Sequence, residues 1–485
     1  MNSLLASPKI TIPLSDQGYD WYPLIEYGIL HDHFDGFVLN QPYDLDESME
    51  AISNSGLNAW TNTINAQYCY CKDEDNVEGI GVHIAPGYSV STHGSKNNSI
   101  MLVVNGLLKI GDLFLVNRFR LNDPALKNDP YFHGDTGEWL YGYFDESYAV
   151  LSLSDKVDLF MGRMNRNFGA LNDYGLILSD NPYAFDHFGF TATGNRLKYS
   201  FYTTRLNDIL GEDSQGGTMP SDTLMQTKRY WAIQRLDWKI RENLQIALSE
   251  ATVYGGPDQN WVASYMNPVQ FFYAAQRNQS VQLNSMWQIN VFWKPKQGLG
   301  FYVDLFADDL IINNEEVSDR DRHPDRLGFL LKASITDLFI SESLTSVRYV
   351  CIWNDTYTSF RTFENYAYFN KGIGFPINSY EGVKLNWNYL GSPPVLIQSS
   401  LELWQHGDIN LHQVFDGEIK EFPVSPVIYG ITTEFEISTP YWHQFEFEFT
   451  FINRLTTLAK KNFFNNCNSS NEIQIKLLYQ FSFIF

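Results

Sequence analysis

The sequence predicts an all-β fold, a transmembrane antiparallel β-barrel of about 18 strands preceded by a small N-terminal helical element. Three observations predict it. The first is the C-terminal stretch Ile473 to Phe485, where Ile473, Ile475, Leu477, Tyr479, Phe481, Phe483 and Phe485 form one apolar, aromatic-weighted face. Gln474, Lys476, Gln480 and Ser482 put polarity on the other face, interrupted by Leu478 and Ile484. A period of two is a strand, and a strand with one greasy side ending on Phe fits the closing strand of an outer-membrane barrel. The second is composition: aromatics make up 16% of 485 residues, yet mean hydropathy is only -0.27. Barrels combine the two because apolar residues fill alternate positions only. The third is that such alternation recurs along most of the chain.

The elements follow in order. Met1 to Pro13 offers only Leu4, Leu5 and Ala6 as an apolar core, too short for a secretory signal, so a leader is expected upstream. Residues 1–78 are expected to form an N-terminal periplasmic helical or plug segment, and 79–485 the barrel. Within the first part, Asp44 to Ile52 suits a helix after Pro42, with acids in its first turn and Leu45, Met49 and Ile52 on one face. Strands are expected near 80–92, 100–121, 138–154, 156–168, 184–193, 196–207, 226–240, 243–255, 282–294, 298–309, 326–338, 343–356, 363–370, 381–390, 396–406, 428–438, 441–454 and 472–485. The clearest are Gln282 to Trp293, where Leu283, Trp287, Ile289, Val291 and Trp293 share a face, and Tyr441 to Arg454. In the latter, Phe445, Phe447, Phe449 and Phe451 alternate with Gln444, Glu446, Glu448 and Thr450. Long polar connections (211–226, 313–325, 406–425) read as extracellular loops, and 258–281 as a loop or short helix folded into the lumen.

Charge and motifs exclude several functions. A net charge of -22 is wrong for nucleic acid, which selects basic surfaces. Cys69 and Cys71 would share a strand face, a poor disulfide geometry, and Cys351 and Cys467 stand alone, so no zinc pattern exists. There is no HExxH, phosphate loop, GxSxG or CxxC, and a non-enzyme is expected. A barrel phospholipase would need a Ser/His/Asn set on the lipid-facing wall, for which His187 and His443 are candidates only as histidines near strands.

From Phe160 to Asp208 the chain carries specific motifs. Met161-Gly162-Arg163-Met164-Asn165-Arg166-Asn167-Phe168-Gly169 is followed by Gly175-Leu176-Ile177-Leu178-Ser179-Asp180-Asn181-Pro182, then Phe185-Asp186 and Arg205-Leu206-Asn207-Asp208. A second block, Arg235-Leu236-Asp237-Trp238, Leu248-Ser249-Glu250, Tyr265-Met266-Asn267-Pro268 and Asp308-Asp309, keeps the same order. Together these resemble the capsule assembly protein (Wzi) family of outer-membrane proteins. The match is best over 160–310, with Gln234 standing where relatives often carry His. The resemblance implies an 18-stranded barrel and a non-catalytic, lectin-like protein that anchors capsular or extracellular polysaccharide at the cell surface. The alternative is a porin or substrate-specific channel, since a barrel this wide can enclose an aqueous pore. Outer-membrane lipid and the barrel assembly machinery are the other expected partners.

Sugars are held by aromatic faces and planar polar groups, so Asn165, Arg166, Phe168, Asp180, Asn181 and Trp261 are the candidate polysaccharide contacts. Arg163, Asp186, Glu250 and Asp308 are expected as structural charges inside the lumen, with Arg163 and Asp186 confined there together. No cofactor is expected. Ca²⁺ at Asp308-Asp309 or Glu315-Glu316 is the single candidate ion, and solvated loop acids the plainer reading.

Overall fold

The computed structural model describes residues 10–14, 20–67, 79–92, 97–123, 126–127, 129, 131–134, 141–210, 226–256, 258–278, 283–309, 325–369, 371–391, 394–411, 415–442, 445–458, 468–479 and 481–484. The fold is a closed 18-strand antiparallel barrel. Its strands are β1 (Gly79–Ser91), β2 (Asn97–Ile110), β3 (Leu113–Leu121), β4 (Gly142–Ser154), β5 (Val157–Met164), β6 (Phe185–Thr193), β7 (Leu197–Arg205), β8 (Gln226–Arg241) and β9 (Leu244–Gly256). They continue as β10 (Leu283–Lys296), β11 (Leu299–Asp309), β12 (Arg326–Thr336), β13 (Ser343–Ile352), β14 (Tyr380–Gly391), β15 (Val395–His406), β16 (Ile428–Trp442), β17 (Phe445–Thr457) and β18 (Asn468–Tyr479, extended by Phe481–Ile484). Each strand pairs with its neighbours in sequence. Closure comes from β1, which pairs with β2 on one side and β18 on the other, Gly87 opposite Leu478 and Gly81 opposite Ile484.

Side-chain alternation sorts the wall into two faces. Ile100, Leu159, Leu236, Trp238, Leu248, Ile289, Trp293, Leu331, Leu403, Ile473, Ile475 and Leu477 all lie exposed on the outside, around the full circumference. A water-soluble protein does not expose an apolar band of that extent, whereas lipid requires one. The chain is an outer-membrane β-barrel. Short turns such as 155–156, 242–243 and 297–298 lie at one end and the longer connections at the other, which makes the turn end periplasmic. Leu478 breaks the polar inner pattern of β18 because Gly87 opposite it leaves room. A Cβ there would fall 2.2 Å from Leu478 Cδ2.

The lumen is filled from both ends. Helix α1 (Trp21–Leu30) is apolar apart from Glu26 and every residue of it is buried, as a helix hydrophobic on nearly all sides must be. Helix α2 (Leu45–Asn54) begins where the sequence predicts it. The Asp44 side chain accepts from Asp46 N and Glu47 N, both at 3.1 Å, capping its first turn. Helix α3 (Asn58–Gln67) completes the N-terminal piece, and Trp60 Nε1 donates to Leu390 O at 3.1 Å beside a periplasmic turn. From the opposite end, the loops 165–184 and 353–379 fold inward. Tyr357 Oη donates to Leu176 O and Tyr366 Oη to Ile177 O, both at 2.7 Å, tying the two loops together.

The segment expected inside the lumen over 258–281 lies elsewhere. Tyr230, Ala232, Tyr254, Tyr265, Phe272, Ala275 and Leu283 form a separate buried cluster with Phe201. On β8 and β9 these wall residues share the outward parity of Leu236, Trp238 and Leu248, so the segment with helix α4 (Phe272–Asn278) is a strap on the outer wall. The physical reason is composition. Its aromatic residues find an apolar partner on the barrel exterior, and the lumen is already occupied. Of the expected windows, the described residues of 363–370 form a loop with a two-residue bridge pair at Ala367–Tyr368 and Lys371–Gly372, and 100–121 is two strands. Cys69, Cys71 and Cys467 lie outside the described residues, and Cys351 is a free, buried thiol.

Candidate functional site

The lumen is built by polar wall residues that satisfy the backbone of what is inserted between them. Gln245 Oε1 accepts from Val38 N at 2.9 Å, Arg235 Nη2 donates to Leu39 O at 2.9 Å, and Lys294 Nζ donates to Ile29 O at 2.9 Å. Glu26 of α1, fully buried, accepts from Ser334 Oγ at 2.7 Å and from Asn172 Nδ2 at 2.6 Å, and pairs with Lys332 Nζ at 3.2 Å. A buried carboxylate needs such partners, because an unpaired charge in this setting is severely penalised. The plug meets the inward loop at a bridge between Gln41 and Asn167, whose Nδ2 donates to Gln41 Oε1 at 2.8 Å.

Two crevices remain beside this junction. The first, about 670 Å³, runs between plug residues Asp35 to Glu47 and the wall of β4 to β8, and includes the turn residues Gly194 to Arg196. The second, about 450 Å³, separates Asp20, Tyr22 and the loop residues Asn172 to Asp180 from a charged wall on β13 to β18. That wall is a ladder of inward charges. Lys384 pairs with Glu434 at 3.0 Å, Lys476 with Glu446 at 2.9 Å and Glu448 at 3.2 Å, and Arg348 with Asp173 at 2.8 Å. Asp20, at the foot of α1, faces this ladder. Burial pushes its carboxyl up to about 7, and the Glu448 and Glu446 charges add to the rise.

The residues singled out in the sequence are dispersed. Arg166 lines the first crevice and Asp180 the second. Asn165 Nδ2 donates to Leu14 O at 3.3 Å and Asn181 Nδ2 to Gly372 O at 2.8 Å, so both hold chain segments together. Phe168 is 0% exposed and packs under the Arg235 guanidinium at 4.7 Å, which leaves no face for a ligand. Trp261 lies in the outer strap against Tyr230 and Phe188.

The charges expected in the lumen also divide. Arg163 and Asp186 do pair, at 2.9 Å, but strand parity turns both outward, and their side chains are 23% and 68% exposed. The expected confinement inside the barrel is thereby corrected. Glu250 is likewise outward, under the strap, where it accepts from Gln234 Nε2 at 2.6 Å. Asp308 does reach the interior. It accepts from Tyr357 N at 2.7 Å and pairs with Arg326 at 3.5 Å, partners that leave it structural rather than a Ca²⁺ ligand. Glu315 and Glu316 lie outside the described residues, and among the described residues no group of three His, Cys, Asp or Glu side chains could hold a metal. His187 faces the lumen and not lipid, contrary to a lipid-facing catalytic role, and His443 lies outside the described residues.

Sequence reasoning missed the plug helix α1, the Glu26–Lys332 pair and the ladder as a unit. Only the ladder left a signal, the alternate Glu434, Glu436, Glu446 and Glu448.

No family model and no curated protein matches this chain. Similar solved structures include an improved crystal structure of Pseudomonas aeruginosa OprD, at 10% identity and TM-score 0.47, covering 84% of this chain and 95% of that one. Another is Pseudomonas aeruginosa OccK10 (OpdN), at 10% identity and TM-score 0.44, covering 84% and 99%. A further structure of the outer membrane protein OprD from the same organism gives 11%, 0.46, 85% and 96%. The neighbours are thus of the OprD and Occ kind, which overturns the resemblance to the capsule assembly family read from the motifs.

Proposed function

We propose that this barrel is a gated, substrate-selective outer-membrane channel, with the N-terminal plug as its gate. The observation that carries this reading is the second crevice. A wall of inward charges on β13 to β18 lines a cavity of about 450 Å³ beside the plug. A purely structural barrel gains nothing from keeping Glu436, Glu448, Lys384 and Arg348 in a cavity, since packed apolar residues would stabilise it more. A surface tether needs its ligand contacts at the loops. Here Phe168, Asn165 and Asn181 are engaged in holding the interior together. Of the charged groups lining that crevice, Asp20, Asp173, Asp180, Glu436 and Glu448 outnumber Arg348 and Lys384, a balance that favours small cations.

Single-channel recording in planar bilayers tests the reading. Brief, cation-selective openings are expected in the full-length protein. Cross-linking the plug to the inward loop through Gln41→Cys with Asn167→Cys should abolish them, and reductant should restore them. A folded barrel that stays silent under every condition would sink the proposal.

A further inference from the structure

The outer wall of β5 to β8 carries a row of charge where its apolar surface ends. On β5, Leu159 and Met161 face lipid, and Arg163, of the same parity, stands one step nearer the extracellular end. On β6, Phe188 lies opposite Met161 and Asp186 opposite Arg163. On β7, Thr203 lies opposite Phe188, which sets Arg205 level with Asp186 on its other side. Thr204 Oγ1 donates to Asp186 O and holds that junction. Tyr230 of β8 lies opposite Arg205, and Lys228, also outward, follows one step beyond it. Arg163, Arg205 and Lys228 thus stand against Asp186 and Asp208 on the rim of a chain whose net charge is -22. Arg163 pairs with Asp186 through Nη2 at 2.9 Å, and Arg205 with Asp208 through Nη2 at 2.6 Å. Among the described residues neither guanidinium makes another hydrogen bond, and the two side chains are 23% and 47% exposed.

We infer that this rim binds a phosphorylated lipid of the outer leaflet, with a phosphate between Arg163 and Arg205 and acyl chains on the apolar wall below them. An outward cation on a lipid-facing strand is costly within the hydrocarbon layer and becomes favourable against an anionic headgroup. Each guanidinium keeps a planar fork of donors that its aspartate does not use, and a phosphate accepts several of them. Their strand positions lie about 10 Å apart, a gap that two extended arginines can close onto one phosphate. Immediately below, Met161, Leu159 and Phe188 are 72%, 39% and 38% exposed and continue the apolar belt, so a chain running down from that phosphate lies on hydrocarbon. A dissolved anion would gain the charge contacts without that platform, which selects the lipid. Asp186 lies between the two arginines and competes for Arg163, so its charge should oppose binding. The site is on the outside of the wall, and its occupancy does not depend on whether the lumen conducts.

The test is binding of lipid A to the folded full-length protein in dodecyl maltoside, read by native mass spectrometry. The unaltered protein should bind lipid A about tenfold or more tightly than the same lipid stripped of its phosphates. Equal affinity for the two would overturn the proposal without any variant having to fold. Inorganic phosphate equimolar with the lipid should leave the bound lipid in place; displacement would assign the rim to a dissolved anion and overturn the lipid assignment. Arg163→Gln combined with Arg205→Gln, shown to be folded by heat-modified gel migration, should weaken binding about thirtyfold. Asp186→Asn should tighten it about threefold. Lys156→Gln, at the exposed periplasmic turn of the same wall, should leave it unchanged. Undiminished binding in the double variant, or an equal loss in Lys156→Gln, would show that lipid A does not use this rim.

Discussion

The Glu250 carboxylate accepts hydrogen bonds from the backbone N–H of Phe272 at 3.0 Å, across 22 residues and on the outside of the barrel wall. Its second oxygen accepts from Tyr273 N at 3.0 Å, and Gln234 Nε2 completes the set. A carboxylate on a lipid-facing strand is thus neutralised by the first turn of α4 and roofed by the strap, which itself presents Val269 and Phe271 outward. Polar wall residues and an irregular strap are mutually dependent here, because neither is compatible with lipid without the other.

Glu250→Ala should therefore loosen the strap and leave the barrel closed. Hydrogen bonds to a charged acceptor contribute about 1.5–3 kcal/mol each, so amide exchange over residues 262–278 should rise by orders of magnitude. Exchange in β8 and β9 should change little. Unaltered exchange in α4 would show that the aromatic cluster holds the strap without the cap.

Two ion pairs of similar geometry should behave in opposite ways. Lys332 and Glu26 have side chains 1% and 0% exposed, and removing one partner strands the other inside. Lys332→Ala should weaken plug docking by about 3–5 kcal/mol, seen as faster exchange across α1 and longer channel openings. Arg163→Ala, at the exposed pair with Asp186, should change barrel stability by about 1 kcal/mol or less, measured by heat-modified gel migration in urea. Equal effects of the two variants would contradict the burial argument.

How legible these features were follows from what periodicity encodes. The alternation in Gln282 to Trp293 and in Phe445 to Phe451 gave strand, face and barrel, because lipid and lumen impose opposite demands on neighbouring positions. Parity alone also places Glu250 outside, beside Leu248. It was misread because a lone acid on a lipid face makes sense only once the strap is known to cover it. Arg163 and Asp186 do pair, but parity with Leu159 and Met161 on one strand and Phe188 on the other puts both outside, and their charge masked that reading. The family resemblance failed for a related reason: a short motif such as Asn181-Pro182 is ordinary turn chemistry that unrelated loops share. The plug contacts had no local signal at all, since Glu26 and Lys332 lie 306 residues apart.

Phe168→Ala separates the interior role of the 165–184 loop from any ligand role. The ring is buried against Arg235, and its carbonyl accepts from Gln288 Nε2 at 3.0 Å, so both parts of the residue anchor the loop to the wall. Truncation should cost about 3–5 kcal/mol through the cavity left behind. The melting temperature should fall, and amide exchange across residues 165–184 should rise as the loop loses its fixed position.

The last prediction concerns pH. Asp20 stands against Glu436, Glu446 and Glu448 of the wall, with Lys476 as the opposing charge and the Ser438 hydroxyl also favouring ionisation. Docked, its carboxyl titrates at about 7, chiefly through burial; released into water it returns toward the ordinary 3.8. The docked plug therefore binds the proton more tightly, so docking is strongest at low pH. It weakens as pH rises between those two values, and above about 7 no further loss comes from this group. Amide protection across Trp21–Leu30 should fall from pH 5 to pH 8, and open probability in bilayers should rise with it. Asp20→Asn cannot ionise and should hold the plug at its low-pH protection throughout. A pH profile unchanged in that variant would place the sensor on the wall carboxylates instead.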